Sequence, residues 1–342
     1  MSRFIVLFCL CVISSSLMAQ KVVNVYIWGG IIPASVIHQF EQESGIIVNV
    51  STYDSNETMY AKLKSSKRSI YDVILPSSYF VERMRKQSML SELNPEKLTN
   101  LVNLDALFRE NDYDPGNHFS VPIIWGTTGM FYNAKHIKNP PTFWGDLWSN
   151  RWSGQLMLLD DAREVFSAAL LRLGYSPNDT NPKHLLAAYQ TLRALIPNIK
   201  LFASDSIQAT IIDEDALAGL AWNGDAFKAQ MENSNIHFVY PKNGFVIWVD
   251  CLAIPRNPPH PDEAYLFINY LLKANIAAEI ALKEGHAITN TAGKQLLPPE
   301  IRDNPVVYPD TETLKRGVFQ RDVGEETIVL YNQYWEALKL MF

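Results

Sequence analysis

Asp161 and Glu164 stand three residues apart in the run DDAREVF (160–166), a spacing that brings two carboxylates together on one turn of a helix. Such a pair can hold an ammonium group, work as acid and base, or cap the helix. Asp-x-x-Glu is a capping-box pattern and acids suit a helix N-terminus, so the local reading favours the cap. A cap can still lend its outer oxygen to a ligand. Three tryptophans, Trp28, Trp222 and Trp248, fall at or near the ends of predicted strands. Trp248-Val249-Asp250 puts an indole and a carboxylate on the same side of a strand, two residues apart. Trp222-Asn223-Gly224-Asp225 reads as a strand leaving into a loop. Any one tryptophan is more often core than site. Several beside acids at strand mouths point to an aromatic, anionic pocket, which suits an organic cation. An ammonium over an indole face gains roughly 0.5–2 kcal/mol, and each buried methylene about 0.8 kcal/mol.

Other chemistries lack their residues. The chain has no G-x-S-x-G elbow and no P-loop, and Gly29-Gly30 lacks the third glycine of a dinucleotide fingerprint. Its seven histidines are scattered, with no His-x-x-x-His pair and no Cys/His cluster, so neither a metal nor a cofactor is expected. The Asp161/Glu164 pair could serve a periplasmic hydrolase such as a glycosidase, which stays as an alternative. A binding protein for another small cationic solute is the second.

The elements that must position these residues alternate strand and helix. Residues 22–28 form a β-rich run, and 33–44 have helical spacing at Val36, Ile37 and Phe40, ending at Gly45. Residues 46–53 make a second strand; Ser55 can cap a helix from Asn56, with Met59, Tyr60 and Leu63 inward. Residues 72–75 are a third, short strand. This pattern predicts a mostly parallel sheet covered by helices, with ligands gathered at Gly29-Gly30-Ile31, Asp54-Ser55-Asn56 and Ser77-Ser78-Tyr79. A second α/β block follows. Extended segments at 121–124 and 129–132 flank Gly126-Thr127-Thr128, and strands at 156–159, 217–222 and 245–254 accompany helices at 161–173 and 261–272. No low-complexity linker separates the blocks, so the chain is expected to cross between two lobes more than once, near Trp125 and Val249.

Residues 1–19 read as a cleavable signal peptide: Arg3, an apolar run at 4–13 too short to span a bilayer, then Leu17-Met18-Ala19 before Gln20. Without that leader, 29 basic residues face 36 acidic ones. There is no basic stripe to neutralise phosphates, so nucleic acid is not an expected partner. Only Cys251 remains beyond the leader, which excludes an intramolecular disulfide and suits a bacterial periplasm.

Six ordered stretches carry a resemblance across essentially the whole chain beyond the leader: STYDSNETMYAKLK (51–64), LPSSYFVERM (75–84), DDAREVF (160–166), AWNGDAF (221–227), WVDCLAIP (248–255) and YPDTETLKRGVFQRDVG (308–324). The sequence resembles the periplasmic spermidine/putrescine-binding proteins of ABC transporters. The resemblance implies a type II periplasmic-binding-protein fold: two α/β lobes, hinge crossings, and a ligand cleft between the lobes. Lobe 1 is expected to comprise residues 20–125 plus 250–293, and lobe 2 residues 126–249 plus 294–342. The implied ligand site consists of Trp28, Ser77, Tyr79, Asp161, Glu164, Ser204, Trp222, Asp225, Trp248, Asp250, His286 and Gln320. Asp225 resembles the acid of putrescine-preferring members, whereas His286 stands where a tyrosine is usual. Gly29 and Ile31 replace a hydroxyl residue and an aromatic. The implied protein is a monomer without catalysis that hands its polyamine to a membrane permease.

Overall fold

A computed structural model describes residues 20–342 apart from Lys67; the signal-peptide reading falls on residues 1–19, outside the described residues. Among the described residues, eleven strands share one sheet. They are β1 (Val22–Trp28), β2 (Ile47–Tyr53), β3 (Val73–Ile74), β4 (Ser120–Asn133), β5 (Leu156–Leu158) and β6 (Ile199–Phe202). β7 (Ala218–Trp222), β8 (Ile236–Val239), β9 (Phe245–Ala253), β10 (Ala287–Ile288) and β11 (Gly317–Phe319) complete it. The main order is β2-β1-β3-β9-β4-β7-β5-β6, with β8 and β10 also on β4 and β11 on β9.

Two parallel blocks, β2-β1-β3 and β7-β5-β6, flank the long antiparallel pair β9/β4. That pair belongs to both blocks: β9 meets β3 on one side and β4 meets β7 on the other. Trp125 lies opposite Val249 in its ladder. The two segments expected at 121–124 and 129–132 are therefore one strand. Gly126-Thr127-Thr128 looks like a break in sequence, yet its backbone pairs in register with Trp248, Ile247 and Val246.

Local chemistry sets the ends of the elements around the cleft. Gly45 closes the helix Ala34–Ser44 in the left-handed conformation that favours glycine, at φ 71°. The Ser55 side chain accepts from the Thr58 backbone N–H and starts the helix Asn56–Ser65, a cap contributing about 1 kcal/mol. Separate apolar cores sit on either side. Phe40 meets Phe267 edge-on at 5.1 Å within one, where Val23, Val25 and Ile268 are also fully buried. Phe166, Leu170 and Leu185 anchor the other, joined by Ile328 and Leu338 of the C-terminal helix Glu325–Lys339. Each fully buried large apolar side chain adds about 1.5–3 kcal/mol. Cys251, on β9, is fully buried as a free thiol.

Candidate functional site

A cavity of about 480 Å³ opens where the ends of β1, β2 and β7, the middle of β9, and the starts of five helices meet. All twelve residues singled out in the sequence line it: Trp28, Ser77, Tyr79, Asp161, Glu164, Ser204, Trp222, Asp225, Trp248, Asp250, His286 and Gln320.

Asp250 is held from both strand and loop. β9 fixes its backbone, and Ser77 pairs with it as an isolated antiparallel bridge. The Ser77 hydroxyl donates to Asp250 Oδ1 at 2.6 Å. Asn56 orients Ser77 in turn, donating to its hydroxyl and accepting from its backbone N–H, both at 3.0 Å. The same Asn56 amide donates to the Tyr79 hydroxyl at 3.0 Å. Asp250 thus has one solvating hydroxyl and no cation beside it. Burial pushes its carboxyl from 3.8 up to about 7, with Ser77 pulling the other way.

Asp161 and Glu164 occupy a second station. Asp161 is the N-cap of the helix Ala162–Arg172, its Oδ1 accepting from the Glu164 N–H at 3.1 Å. The capping box is only half formed, because the Glu164 side chain turns away and its Oε1 accepts from the Gln320 amide at 3.1 Å. Glu164 Oε2 is buried without a hydrogen-bond partner. Burial raises both carboxyls, and for Glu164 the neighbouring Asp161 charge adds to the effect.

Asp225 marks a third station, accepting from the Gln208 amide at 3.0 Å. Trp222 does not leave into a loop as expected: it is the N-cap residue of the helix Asn223–Glu232, which carries Asp225 in its first turn. Trp248 is likewise not at a strand end but fourth of the nine residues of β9. Its indole meets the His286 ring edge-on at 5.6 Å. Burial lowers the His286 imidazole, against the pull of Asp225. Trp28 rests tilted on Tyr53, centroids 4.7 Å apart.

Ion pairs tie the segment after Gln320 to the helix that follows Ser77. Just after Gln320, Arg321 and Asp322 meet Glu82 and Arg83 of the helix Ser78–Lys86: Arg83–Asp322 at 2.8 Å and Arg321–Glu82 at 3.2 Å. Arg163, itself buried, lies over the rings of Tyr79 and Tyr331 at 5.0 and 5.4 Å.

Residues 35–307 match the family of bacterial extracellular solute-binding proteins. The chain belongs to that family. A spermidine/putrescine-binding periplasmic protein of Escherichia coli K12 is 42% identical over 315 residues, 92% of this chain and 90% of the relative. The putrescine-binding periplasmic protein SpuD of Pseudomonas aeruginosa is 31% identical, covering 94% and 92%. Among solved structures, the spermidine/putrescine ABC transporter substrate-binding protein PotD of Streptococcus pneumoniae has a TM-score of 0.81 at 33% identity, covering 94% of this chain and 99% of that one. The paired parallel blocks around β4 and β9 are the two-lobed architecture of these solute-binding proteins, with the cavity as their cleft.

The cleft of this solute-binding protein also contains residues that the sequence reading did not single out. Asp54 and Asn56 belong to a strand-end loop already expected at the site, and Tyr53 precedes it. Asp205 and Gln208 flank Ser204, whose own hydroxyl accepts from the Asp160 N–H at 3.0 Å. Lys228 and Glu284 had no signal: Lys228 reaches the cleft only because a helix, not a loop, follows Trp222.

Proposed function

We propose that this protein captures a small polyamine such as spermidine or putrescine in the cleft and delivers it to the membrane permease of an ABC transporter. The observation that carries this reading is the cavity wall itself, which is lined by carboxylates at three stations and by the indoles of Trp28, Trp222 and Trp248. A chain of methylenes with an ammonium at each end suits that lining: rings take the methylenes and carboxylates take the charges. Asp250 pairs with one amine, and Asp161 with Glu164 takes another. The names of the relatives, which bind spermidine or putrescine, support the ligand class.

The protein binds without turnover. Its family is one of solute-binding proteins, which supports binding without chemistry. The lobes are residues 20–125 plus 250–293 and residues 126–249 plus 294–342, which close over the ligand about the β4/β9 crossing. The protein acts as a monomer in the periplasm after removal of residues 1–19.

A thermal-shift screen tests the reading. Putrescine or spermidine at about 100 times Kd should stabilise the protein by about 2.7 kcal/mol, with no shift from neutral sugars or amino acids. A shift from another solute class and none from either polyamine would contradict it.

The raised acids add a pH signature. A carboxyl raised in the folded state keeps its proton while the unfolded chain has lost its own, so the ligand-free protein loses stability as pH rises from 3.8 towards about 7. A bound ammonium pulls those carboxyls back down and expels the protons. Polyamine affinity is therefore expected to fall about tenfold or more between about pH 8 and about pH 5. Titration calorimetry in buffers of different ionisation enthalpy should record proton release near neutrality; an affinity independent of pH would show that Asp250 and the Asp161/Glu164 pair are not the ligand's partners.

A further inference from the structure

The cleft lining carries one positive side chain among its acids. Lys228 sits one turn beyond Asp225 on the helix Asn223–Glu232, and among the described residues lining the cavity it is the one lysine or arginine. Its stem is laid against Gly285, where an added Cβ would come within 2.8 Å of both Lys228 Cγ and Cε. Its ammonium lies 3.8 Å from Glu284 Oε2, with side chains 27% and 21% exposed. His286, the residue after Gly285, packs its Nδ1 equally tightly over Gly224. The sequence around these groups is therefore shaped to hold a protein ammonium in place beside Glu284.

We propose that Lys228 is a specificity-determining residue that limits the charge and length of the ligand, by supplying from the protein the ammonium that a longer polyamine would otherwise bring to Glu284. This rests on the polyamine reading of the same cleft. A diamine can satisfy Asp250 and the Asp161/Glu164 pair and stop short of Lys228. A triamine spanning the cleft must bring a further positive charge towards the lysine, and like charges brought together in a half-buried site repel. Discrimination of this kind works by a repulsive element built against the competitor.

The test is the ratio of putrescine to spermidine affinity, by titration calorimetry, in the wild type, K228M and K228R. Lys228→Met keeps an unbranched stem against Gly285 and removes the charge, so spermidine should gain about tenfold relative to putrescine. Lys228→Arg should keep the wild-type ratio. Lys228→Gln should shift the ratio in the same direction as K228M, which covers the case of a poorly folded methionine variant. An unchanged ratio in both uncharged variants, with wild type binding either polyamine, overturns the role of Lys228 and leaves the polyamine reading intact. Wild type binding neither overturns both.

Discussion

Asp250→Asn is expected to bind both putrescine and spermidine about 30-fold to several thousand-fold more weakly than the wild type, a loss of about 2–5 kcal/mol. The substitution keeps the shape of the side chain and an oxygen able to accept from the Ser77 hydroxyl. What it removes is the charge facing a desolvated ammonium, and the ammonium remains buried with a weaker partner. Stability should respond differently from affinity. In the empty cleft the Asp250 carboxyl is raised by burial, so its ionisation opposes folding as pH rises above the unfolded value of 3.8. The asparagine variant has nothing to ionise and should be as stable as the wild type, or more so, at neutral and higher pH. Calorimetric affinities together with melting temperatures check both halves. Wild-type affinity in D250N would place the central anchor elsewhere in the cleft.

Gly126→Ala should damage the site from a residue that does not line it. A methyl at Gly126 would collide with the Trp248 indole and come within 2.7 Å of Asn223 Oδ1, which accepts from the Thr127 N–H. The indole must then turn, or β4 must part from β9. Overpacking of this kind costs about 1–3 kcal/mol of stability. A displaced indole also loses its cation contact, about 0.5–2 kcal/mol, so affinity should fall by about tenfold. Gly129→Ala is the control. There the methyl would collide with Phe238 and lie 2.7 Å from the Val239 carbonyl, away from the cleft. It should lower the melting temperature and leave polyamine affinity unchanged. Equal loss of affinity in both variants would mean that general destabilisation, not the position of Trp248, controls binding.

Much of the architecture could be read from short-range chemistry. Ser55 announced its helix because a serine oxygen satisfies an orphan N–H there, and Gly45 announced a helix end because the left-handed conformation favours glycine. Asp161 acts as the cap that its spacing suggested, while its partner Glu164 turns to Gln320, 156 residues away, a contact that no local pattern encodes. Gly126 misled for a physical reason. A glycine within a polar triplet suggests a break, whereas here it makes room for an indole on the adjacent strand. Trp222 misled because Asn223-Gly224-Asp225 is good loop chemistry, and the helix it begins is fixed by packing of Ala226, Phe227 and Ala229. Lys228 escaped notice because it works through partners distant in sequence, Glu284 and Gly285; Asn56, in a loop expected at the site, likewise acts through the distant Ser77 and Tyr79.

The crystal structure of the protein grown with putrescine or spermidine tests the central claim most directly. One ammonium nitrogen should lie within hydrogen-bonding distance of Asp250, about 2.7–2.9 Å, and another within that distance of Asp161 or Glu164, with methylenes between indole faces. A polyamine bound outside this cleft, or in it with its nitrogens away from all three carboxylates, would contradict the account.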